Sequence, residues 1–389
     1  MKEGGFDLAR FLSRPRRIVI KVGSRVLATR AAGLSSARIR ALAGQVAGIR
    51  ANGHSVVIVS SGAIAAGIGA VRPASGRPVT IQIKQAAAAV GQSRLMWAYE
   101  QAFRQNGIHT AQILLTAEDL GHRGRYMNAR RTFETLLSRG ILPIVNENDT
   151  VAVEEIRFGD NDTLAGLVAP LVGADLVVLL SDVEGLFTAD PRRDAKASLI
   201  PFVPRVTAEV ERLAGGARTS EGTGGMVSKV RTAKRVTLLG IPMAIVSGLK
   251  SGRLTEFLSG SGRGTLFVPE GPEGRGLSRR KGWMAHTPRP RGTIHVDAGA
   301  RKVLVEGGKS LLPSGIVGAE GPFGAGDLVN LAGPDGEPFA RGLSNYKREE
   351  VDRIRGAKSG EVEKILGAKR PAEVVHRDNL VIIGESVNR

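Results

Sequence analysis

The sequence predicts an α/β protein with a mostly parallel central sheet and helices on both faces, followed by a smaller β-rich region. Up to about residue 268, short β-branched runs alternate with longer segments of helical spacing. That alternation is the pattern of a parallel sheet whose strands are buried on both faces. Beyond that point, short strands are separated by frequent glycines, which is typical of a small barrel.

The predicted strands and helices follow one another from the N-terminus. Arg17–Leu27 begins as a buried strand and ends in a Gly-Ser turn, and Ser36–Asn52 has helical spacing with Gly53 as its C-terminal cap. Further buried strands are predicted at Val56–Val59, Ala111–Leu115, Ile141–Val145 and Leu176–Leu180. Further helices are predicted at Lys84–Arg104, Tyr126–Leu137 and Asp162–Val172. Each helix joins two of these strands, as parallel pairing requires.

The chain after residue 268 is predicted to form a separate domain behind a linker. Pro269–Arg291 is rich in Gly, Pro, Arg and Ser, a composition typical of linkers. Short strands are predicted after it at Gly292–Val296, Val303–Glu306, Gly315–Gly318 and Asp327–Asn330. We therefore place one domain at residues 14–268, the linker at 269–290 and a second domain at 291–380.

Composition excludes several classes of protein. The 389 residues are 42% hydrophobic and 24% charged, which is ordinary for a folded protein and argues against disorder over the whole length. The chain has no Cys, which excludes disulfides, iron–sulfur clusters and Cys nucleophiles. The N-terminus lacks the apolar stretch of a signal peptide, and the longest apolar segment, Leu164–Leu180, contains Pro170 and Asp175. We expect a soluble, cytoplasmic protein with no membrane anchor.

The net charge of +18 is distributed unevenly along the chain. Residues 286–389 hold 16 Lys and Arg against 14 Asp and Glu, a net charge of +2, so the first 285 residues hold the remaining +16. Excess positive charge favours a polyanionic ligand, either nucleic acid or a phosphorylated small molecule, although Arg also serves to solvate protein surfaces.

Two motifs at predicted strand ends present groups that suit phosphate. Lys21 stands next to Gly23 and Ser24 where the first strand ends, so its ammonium group either approaches a phosphate or is solvated. Ser60–Gly67 follows the next strand with small residues that open a helix. Its backbone N–H groups either approach an anion or form a tight packing turn.

A third motif is polar and acidic. Asn146–Asp149 follows a strand, and Gly159–Asp162 opens a helix. Carboxylates and carboxamides at these positions can hold a substrate ammonium group or order nearby lysines. Asp160 and Asp162 also suit N-terminal capping of the helix.

The fourth motif, Gly222–Lys229, is a glycine-rich loop that enters a helix. This arrangement suits nucleotide phosphates, with Lys229 as a counter-charge, although the spacing is not that of a Walker A loop. Zinc, serine-hydrolase and Rossmann chemistry are disfavoured. The six His are scattered, and neither Gly-x-Ser-x-Gly nor a strand–Gly-x-Gly-x-x-Gly–helix occurs.

These motifs, in this order, resemble the amino acid kinase family, and in particular its members that phosphorylate the side-chain carboxylate of L-glutamate. The segments that carry the resemblance are Lys21–Ser24, Ser60–Gly67, Ala89–Leu95, Asn128–Arg130, Pro143–Asp149, Gly159–Asp162, Ser181–Asp182, Gly185–Pro191 and Gly222–Lys229. The β-rich region resembles a PUA domain at Gly292–Gly299, Ser310–Gly315 and Val375–Asp378. The resemblance implies the three-layer amino acid kinase fold with a mostly parallel central sheet, followed by a small PUA barrel.

The resemblance also implies a reaction and its residues. ATP, with Mg²⁺, would phosphorylate L-glutamate to L-glutamyl 5-phosphate, the first step of proline synthesis. Lys21 and Lys229 would flank the transferred phosphoryl group, and Asp162 would hold both lysines. The residues implied for glutamate are Ser61, Asp149, Asp160 and Asn161. The residues implied for ATP are Lys21, Ser181, Asp182, Thr223, Gly224, Gly225, Met226, Val227, Ser228 and Lys229, and no residue is implied as a metal ligand.

Family members imply further partners, and two alternatives stay open. The resemblance implies a homo-oligomer (dimer or tetramer), feedback inhibition by proline, and a glutamyl-phosphate reductase that uses the product. One alternative is another kinase of the family, acting on acetylglutamate, aspartate, carbamate or a nucleotide. The other is an RNA-binding protein acting through the PUA domain, which the net charge of only +2 there disfavours. The basic stretch Arg10–Arg17 has no assigned function.

Overall fold

A computed structural model describes residues 2–3, 6–29, 33–71, 79–121, 123–152, 160–215, 225–269, 290–367 and 370–383. The chain divides into two units, one formed by Met1–Ala117 and Ala129–Gly276, the other by Glu118–Asn128 and Leu277–Arg389. The domain bounds given above stay predictions, and residues 270–289 of the predicted linker lie outside the described residues.

The first unit is built on an eight-stranded sheet. Its strands, in chain order, are β3 (Arg17–Val22), β6 (Ser55–Ser60), β7 (Thr110–Leu115), β8 (Leu142–Glu147), β9 (Leu176–Ser181), β10 (Phe202–Val203), β11 (Met243–Ser247) and β12 (Thr265–Phe267). Their spatial order is β10-β12-β11-β9-β3-β6-β8-β7, and every neighbouring pair is parallel except β11 with β12. The prediction of a mostly parallel sheet is confirmed.

The first unit also contains two small hairpins and most of the helices before residue 260, whereas Glu118–Asn128 belongs to the second unit. The hairpin strands are β1 (Lys2–Glu3) with β2 (Phe6–Asp7), and β4 (Ala28–Thr29) with β5 (Gly33–Leu34). The helices before residue 260 are α1 (Leu8–Phe11), α2 (Ser24–Leu27), α3 (Ser36–Ala51), α4 (Ala63–Val71), α5 (Ile81–Arg104), α6 (Ala117–Gly121), α7 (Arg123–Ser138), α8 (Asn161–Val172), α9 (Ala208–Gly215), α10 (Met226–Leu238) and α11 (Arg253–Leu258).

The sheet is buried on both faces because successive side chains of a strand point to opposite sides. In β3, Ile18 and Ile20 share one hydrophobic core with α3 and α5, while α8 packs against β3, β6, β8 and β9. Val19 and Lys21 point to the opposite face of the sheet, and both are buried as well. Lys21 pairs in register with Val59 of β6 and Leu179 of β9, so its place in the sheet is fixed from both sides.

Helices α4 and α5 pack with almost no space between their backbones. A Cβ added to Gly67 would lie 1.9 Å from the carbonyl oxygen of Ala87, and one added to Gly91 would lie 1.8 Å from that of Ala63. Only glycine permits this approach. Because α4 begins directly after β6, the contact fixes the turn that carries Ser60 and Ser61.

The second unit contains a five-stranded sheet of order β14-β13-β15-β16-β17. Its strands are β13 (Gly292–Val296), β14 (Ile316–Glu320), β15 (Leu328–Ala332), β16 (Pro338–Leu343) and β17 (Leu380–Ile382). Its helices are α12 (Ala298–Gly307), α13 (Arg348–Ile354) and α14 (Val362–Leu366), with short 3-10 turns at Pro313–Gly315, Ser359–Glu361 and Arg377–Asn379. The prediction of a β-rich C-terminal region is confirmed.

One predicted strand of this unit is wrong. Val303–Glu306 lies inside helix α12, whose N-terminus is capped by Asp297 accepting a hydrogen bond from the backbone N–H of Ala300. The run of β-branched and apolar residues favours a strand locally, but only Leu304 is buried, whereas Val303 is exposed. The cap and the single buried face make this segment helical.

Within the part of the chain that is described, no helix is both long enough and apolar enough to cross a bilayer.

Candidate active site

The predicted site residues that the structure describes lie at the carboxyl ends of four neighbouring strands. Strands β9, β3, β6 and β8 lie side by side, and each ends in or next to a polar residue of the motifs described above. Helices α8 and α10 begin at the same edge, with Asp162 and Lys229 in their first turns. Ligands of open parallel sheets bind at such an edge.

A lysine–carboxylate–lysine cluster, formed by Lys21, Asp162 and Lys229, lies at the centre of this edge. Lys21 Nζ is 2.6 Å from Asp162 Oδ1, and Lys229 Nζ is 2.8 Å from Asp162 Oδ2. Asp162 is completely buried, and both lysines are more than 90% buried. Each carboxylate oxygen therefore fixes one ammonium group, and the cluster carries a net charge of +1.

Two opposing effects act on the Asp162 carboxyl group. Burial raises its pKa, and the two neighbouring ammonium groups with their hydrogen bonds lower it, so that the pKa lies below its usual range. Asp162 is thus ionised at neutral pH. Two ammonium groups held on one buried carboxylate place two positive charges at this edge, an arrangement that suits an anion.

A hydrogen-bond network around Asn161 forms a second part of the site. Asn161, the first residue of α8, directs its side-chain amide at the end of β6 and at β8. Asn161 Nδ2 lies 2.8 Å from the Ser60 carbonyl oxygen, 2.9 Å from Ser61 Oγ and 3.0 Å from Asn146 Oδ1. The amide of Asn146 in turn donates to Gln92 Oε1 of α5 at 2.8 Å. The network joins the ends of β6 and β8 to helices α8 and α5.

Two buried acceptors of this network have no hydrogen-bond partner among the described residues. They are Asn161 Oδ1 and Asp160 Oδ2. Asp160 caps α8, because its Oδ1 accepts from the backbone N–H of Thr163 at 2.8 Å. The capping role expected for Asp160 is therefore present and uses only one carboxylate oxygen. The positive charge of Arg235 also interacts with this carboxylate.

Asp149 lies in the turn that follows β8 and is half-buried. The backbone N–H of Ala152 closes this turn onto the carbonyl oxygen of Asn148 at 3.0 Å. Residues 153–159, between this turn and α8, lie outside the described residues. Asp149 is thus placed on the same strand end as Asn146.

Ser181 and Asp182 end β9 and form a third part of the site. Ser181 Oγ donates to Asp182 Oδ1 at 3.2 Å, and Arg25 of α2 contacts Asp182 Oδ2 through Nη1 at 2.8 Å. Burial raises the pKa of Asp182, but the hydrogen bond and the charge of Arg25 outweigh that effect and lower the pKa. Both oxygens of this carboxylate are engaged.

The start of α10 supplies the fourth part. Gly225 is its N-cap, and Ser228 Oγ in its first turn is buried without a hydrogen-bond partner among the described residues. The described positions of the predicted nucleotide loop are Gly225, Met226, Val227, Ser228 and Lys229, whereas Thr223 and Gly224 lie outside the described residues. An orphaned hydroxyl beside the N–H groups of a helix start suits a phosphate oxygen.

At Gly23, just after β3, the backbone comes close to the backbone of β9. Its backbone N–H donates to the carbonyl oxygen of Leu180 at 3.0 Å. A Cβ at Gly23 would lie 3.3 Å from that oxygen and 3.9 Å from Lys21 Nζ. A side chain at this position would therefore crowd the Leu180 carbonyl oxygen and contact the ammonium group of Lys21.

Sequence reasoning missed the contacts that three residues make at this edge. Asn146 and Gln92 lie within quoted motifs, but nothing in their spacing shows that they bond to each other. Arg25 follows Ser24 directly, and its partner Asp182 is 157 positions away, so no local pattern could connect them. Among the described residues, no group of three or more His, Asp or Glu is placed to hold a metal ion.

Comparisons with known proteins identify the family of this chain. Residues 16–247 match the amino acid kinase family, and residues 292–366 match the PUA domain. The chain is 52% identical over 375 residues to "Glutamate 5-kinase" of Trichlorobacter lovleyi, covering 96% of this chain and 99% of that protein.

Two other relatives give the same result. "Glutamate 5-kinase" of Geobacter sulfurreducens is 52% identical over 372 residues (96% of this chain, 99% of that protein). The protein of the same description from Moorella thermoacetica is 47% identical over 373 residues (96% and 98%). These relatives favour neither another kinase of the family nor an RNA-binding protein. The chain therefore belongs to the amino acid kinase family, within its glutamate 5-kinase group, and carries a C-terminal PUA domain.

Proposed function

We propose that this chain transfers the γ-phosphoryl group of ATP to the side-chain carboxylate of L-glutamate, which gives L-glutamyl 5-phosphate, the first step of proline synthesis. The observation that carries the proposal is the buried cluster of Lys21, Asp162 and Lys229, in a chain 52% identical to two proteins described as glutamate 5-kinases. The reaction needs positioning and charge neutralisation more than covalent participation of the protein.

In this proposal the two lysines act on the transferred phosphoryl group. Negative charge is spread over its equatorial oxygens in the transition state, and ammonium donors on either side stabilise that charge. Asp162 holds both donors in place before the substrate arrives, so no reorganisation is required during the reaction. Lys21 and Lys229 are catalytic residues in this scheme, and Asp162 is their positioning residue.

The acceptor subsite is formed by Ser61, Asp149, Asp160 and Asn161. Support comes from Asp160 Oδ2 and Asn161 Oδ1, two buried acceptors without a hydrogen-bond partner in the described part of the chain, which suit the α-ammonium group of an amino acid. The attacking group is a carboxylate with a usual pKa near 4, so it is already ionised at neutral pH and needs no general base. A site without a histidine is consistent with that requirement.

The nucleotide subsite is formed by Lys21, Ser181, Asp182 and the loop 223–229. The first turn of α10 supports this assignment, because backbone N–H groups, Ser228 Oγ and Lys229 Nζ all suit phosphate oxygens. Mg²⁺ would be held mainly by the phosphate oxygens of ATP and would neutralise part of their charge. Of the acidic residues of the site, Asp162 is engaged with lysine, Asp182 with Arg25, and one oxygen of Asp160 with a helix cap.

Three further features of the proposal rest on the family alone. We expect a homo-oligomer, and we expect proline to compete for the glutamate subsite. We also expect a reductase to consume the product, because an acyl phosphate hydrolyses readily and must be used quickly.

The test is ADP release from Mg-ATP with and without L-glutamate, in the presence of hydroxylamine, which traps an acyl phosphate as a hydroxamate. Glutamate-dependent ADP release with an equal amount of hydroxamate is the expected result. N-acetylglutamate, aspartate, carbamate and UMP serve as competing acceptors in parallel reactions. Faster turnover with any of these than with L-glutamate would overturn the proposed substrate.

A further inference from the structure

The ion pair between Arg25 and Asp182 lies at the same sheet edge as the lysine cluster, yet it involves neither lysine. Arg25 Nη1 is 2.8 Å from Asp182 Oδ2. The Asp182 side chain is 32% exposed and that of Arg25 is 58% exposed, so the pair faces solvent at the edge where ligands bind. None of the roles given above involves Arg25.

The backbone on both sides of this pair is fixed. The N–H of Gly23 donates to the carbonyl oxygen of Leu180, which joins the chain two residues before Arg25 to the chain two residues before Asp182. Arg38 of α3 donates through Nη1 to the carbonyl oxygen of Arg25 at 3.0 Å. Arg25 is therefore held where it is by two backbone contacts, in addition to its ion pair.

The position of Asp182 creates an electrostatic problem for a nucleotide subsite. An ionised carboxylate at this edge repels the phosphates of a nucleoside triphosphate, because like charges raise each other's energy when water is partly excluded. The adjacent Lys21 is already neutralised in part by Asp162. A cation on Asp182 removes the repulsion without using either lysine.

We propose that Arg25 is a positioning residue of the nucleotide subsite, which holds Asp182 in one orientation and cancels its negative charge so that a nucleoside triphosphate can bind next to it. This inference rests on the proposed function, since it takes Asp182 to be part of the nucleotide subsite. Ser181 fixes the second carboxylate oxygen, so the Asp182 side chain is oriented from both sides. The contact uses one guanidinium nitrogen, which a lysine ammonium can replace.

The experiment measures equilibrium dissociation constants of the full-length protein for Mg-ATP and for adenosine, together with the KM for L-glutamate. The variants are Arg25→Gln, Arg25→Lys and the matched control Arg40→Gln, which removes the same charge from an exposed position of α3. For Arg25→Gln we expect Mg-ATP to bind about 10-fold more weakly, adenosine to bind within about twofold of the wild type, and the glutamate KM to stay unchanged. Arg25→Lys should recover most of the Mg-ATP affinity, and Arg40→Gln should change nothing.

The nucleotide comparison separates the proposed role from a structural one. Equal weakening of Mg-ATP and adenosine, or a parallel rise in the glutamate KM, would show that Arg25 only supports the local fold and would overturn the inference. Unchanged Mg-ATP binding in Arg25→Gln would overturn it as well. If the wild type binds Mg-ATP but shows no glutamate-dependent turnover, the proposed function fails while the binding measurements still decide the role of Arg25.

Discussion

Two aspartates at the same sheet edge are each stabilised as carboxylates by neighbouring cations, but one pair is buried and the other is exposed. Asp162 and Asp182 are both ionised carboxylates whose pKa is lowered by neighbouring cations. Asp162 is completely buried between two buried lysines, whereas Asp182 is partly exposed and pairs with one exposed arginine. Removing a partner of a buried charge destabilises the fold strongly, whereas an exposed ion pair contributes little to the free energy of unfolding. We therefore expect the exposed pair to act mainly on the binding of a neighbouring ligand.

The largest expected effect is on protein stability when the buried carboxylate is removed. Asp162→Asn leaves two buried ammonium groups without a counter-charge, and we expect it to lower the free energy of unfolding by roughly 3–5 kcal/mol. Asp182→Asn is the matched control and should lower it by less than about 1 kcal/mol. Urea denaturation of both variants measures the difference. Equal losses would show that burial does not distinguish the two sites.

The next effect concerns catalysis by the two lysines. Lys21→Ala and Lys229→Ala should each lower kcat by about 10²–10³-fold, because each removes a donor to the transferred phosphoryl group. Lys234→Ala is the control, since Lys234 lies on the same helix as Lys229 but is exposed and pairs with Glu211. Steady-state kinetics with Mg-ATP and L-glutamate check this. Near-normal kcat in either site variant would remove that lysine from the catalytic machinery.

The pH dependence of stability sharpens the comparison further. Because the folded-state pKa of Asp162 is below its unfolded value, the carboxylate stabilises the fold fully above the unfolded pKa and progressively less as pH falls through the folded pKa. The difference in unfolding free energy between the wild type and Asp162→Asn should therefore be constant near pH 6–7 and shrink below about pH 4. Denaturation curves at several pH values test the sign, and a gap that widens on acidification would contradict it.

A smaller effect is expected at the acceptor side. Asp149→Ala should raise the KM for L-glutamate by about 10-fold and lower kcat less, because the residue is proposed to bind the ground state as well as the transition state. The KM for Mg-ATP serves as the internal control and should change little. An unchanged glutamate KM would exclude Asp149 from the substrate subsite.

Local signals were sufficient for five of the eight strands of the first sheet, whereas β10, β11 and β12 were not predicted. Strands β3, β6 and β9 are apolar and β-branched because both of their faces are buried, so each can be read from about six residues of sequence. The lysines and Asp162 could be proposed because they stand in motifs at strand ends and helix starts. These residues form one cluster only because of the spatial order of the strands. That order cannot be derived from the local sequence, and the expectation of a cluster came from the resemblance to a family.

Long-range contacts were beyond sequence reasoning. The hydrogen bond between Asn146 and Gln92 and the ion pair of Arg25 with Asp182 join positions that share no period or motif. Val303–Glu306 was predicted as a strand because its residues favour one, and the helix formed instead because the surrounding cap and core outweigh local propensity. Nothing in the sequence singled out β16 or β17 as strands, although they complete the second sheet.

Lys21 also disfavours a wrong register of β3 while the protein folds. Its neighbours Ile20 and Val22 point into the core shared with α3 and α5. A slip of β3 by one residue would exchange the two faces and insert an ammonium group among those apolar side chains, far from Asp162. An unpaired charge there would cost several kcal/mol, so the mispaired sheet is rejected while the chain is still assembling. The lysine proposed to act on the phosphoryl group thus also destabilises a misaligned sheet. A molecule of this protein that has folded therefore has Lys21 on the face where Asp162 lies.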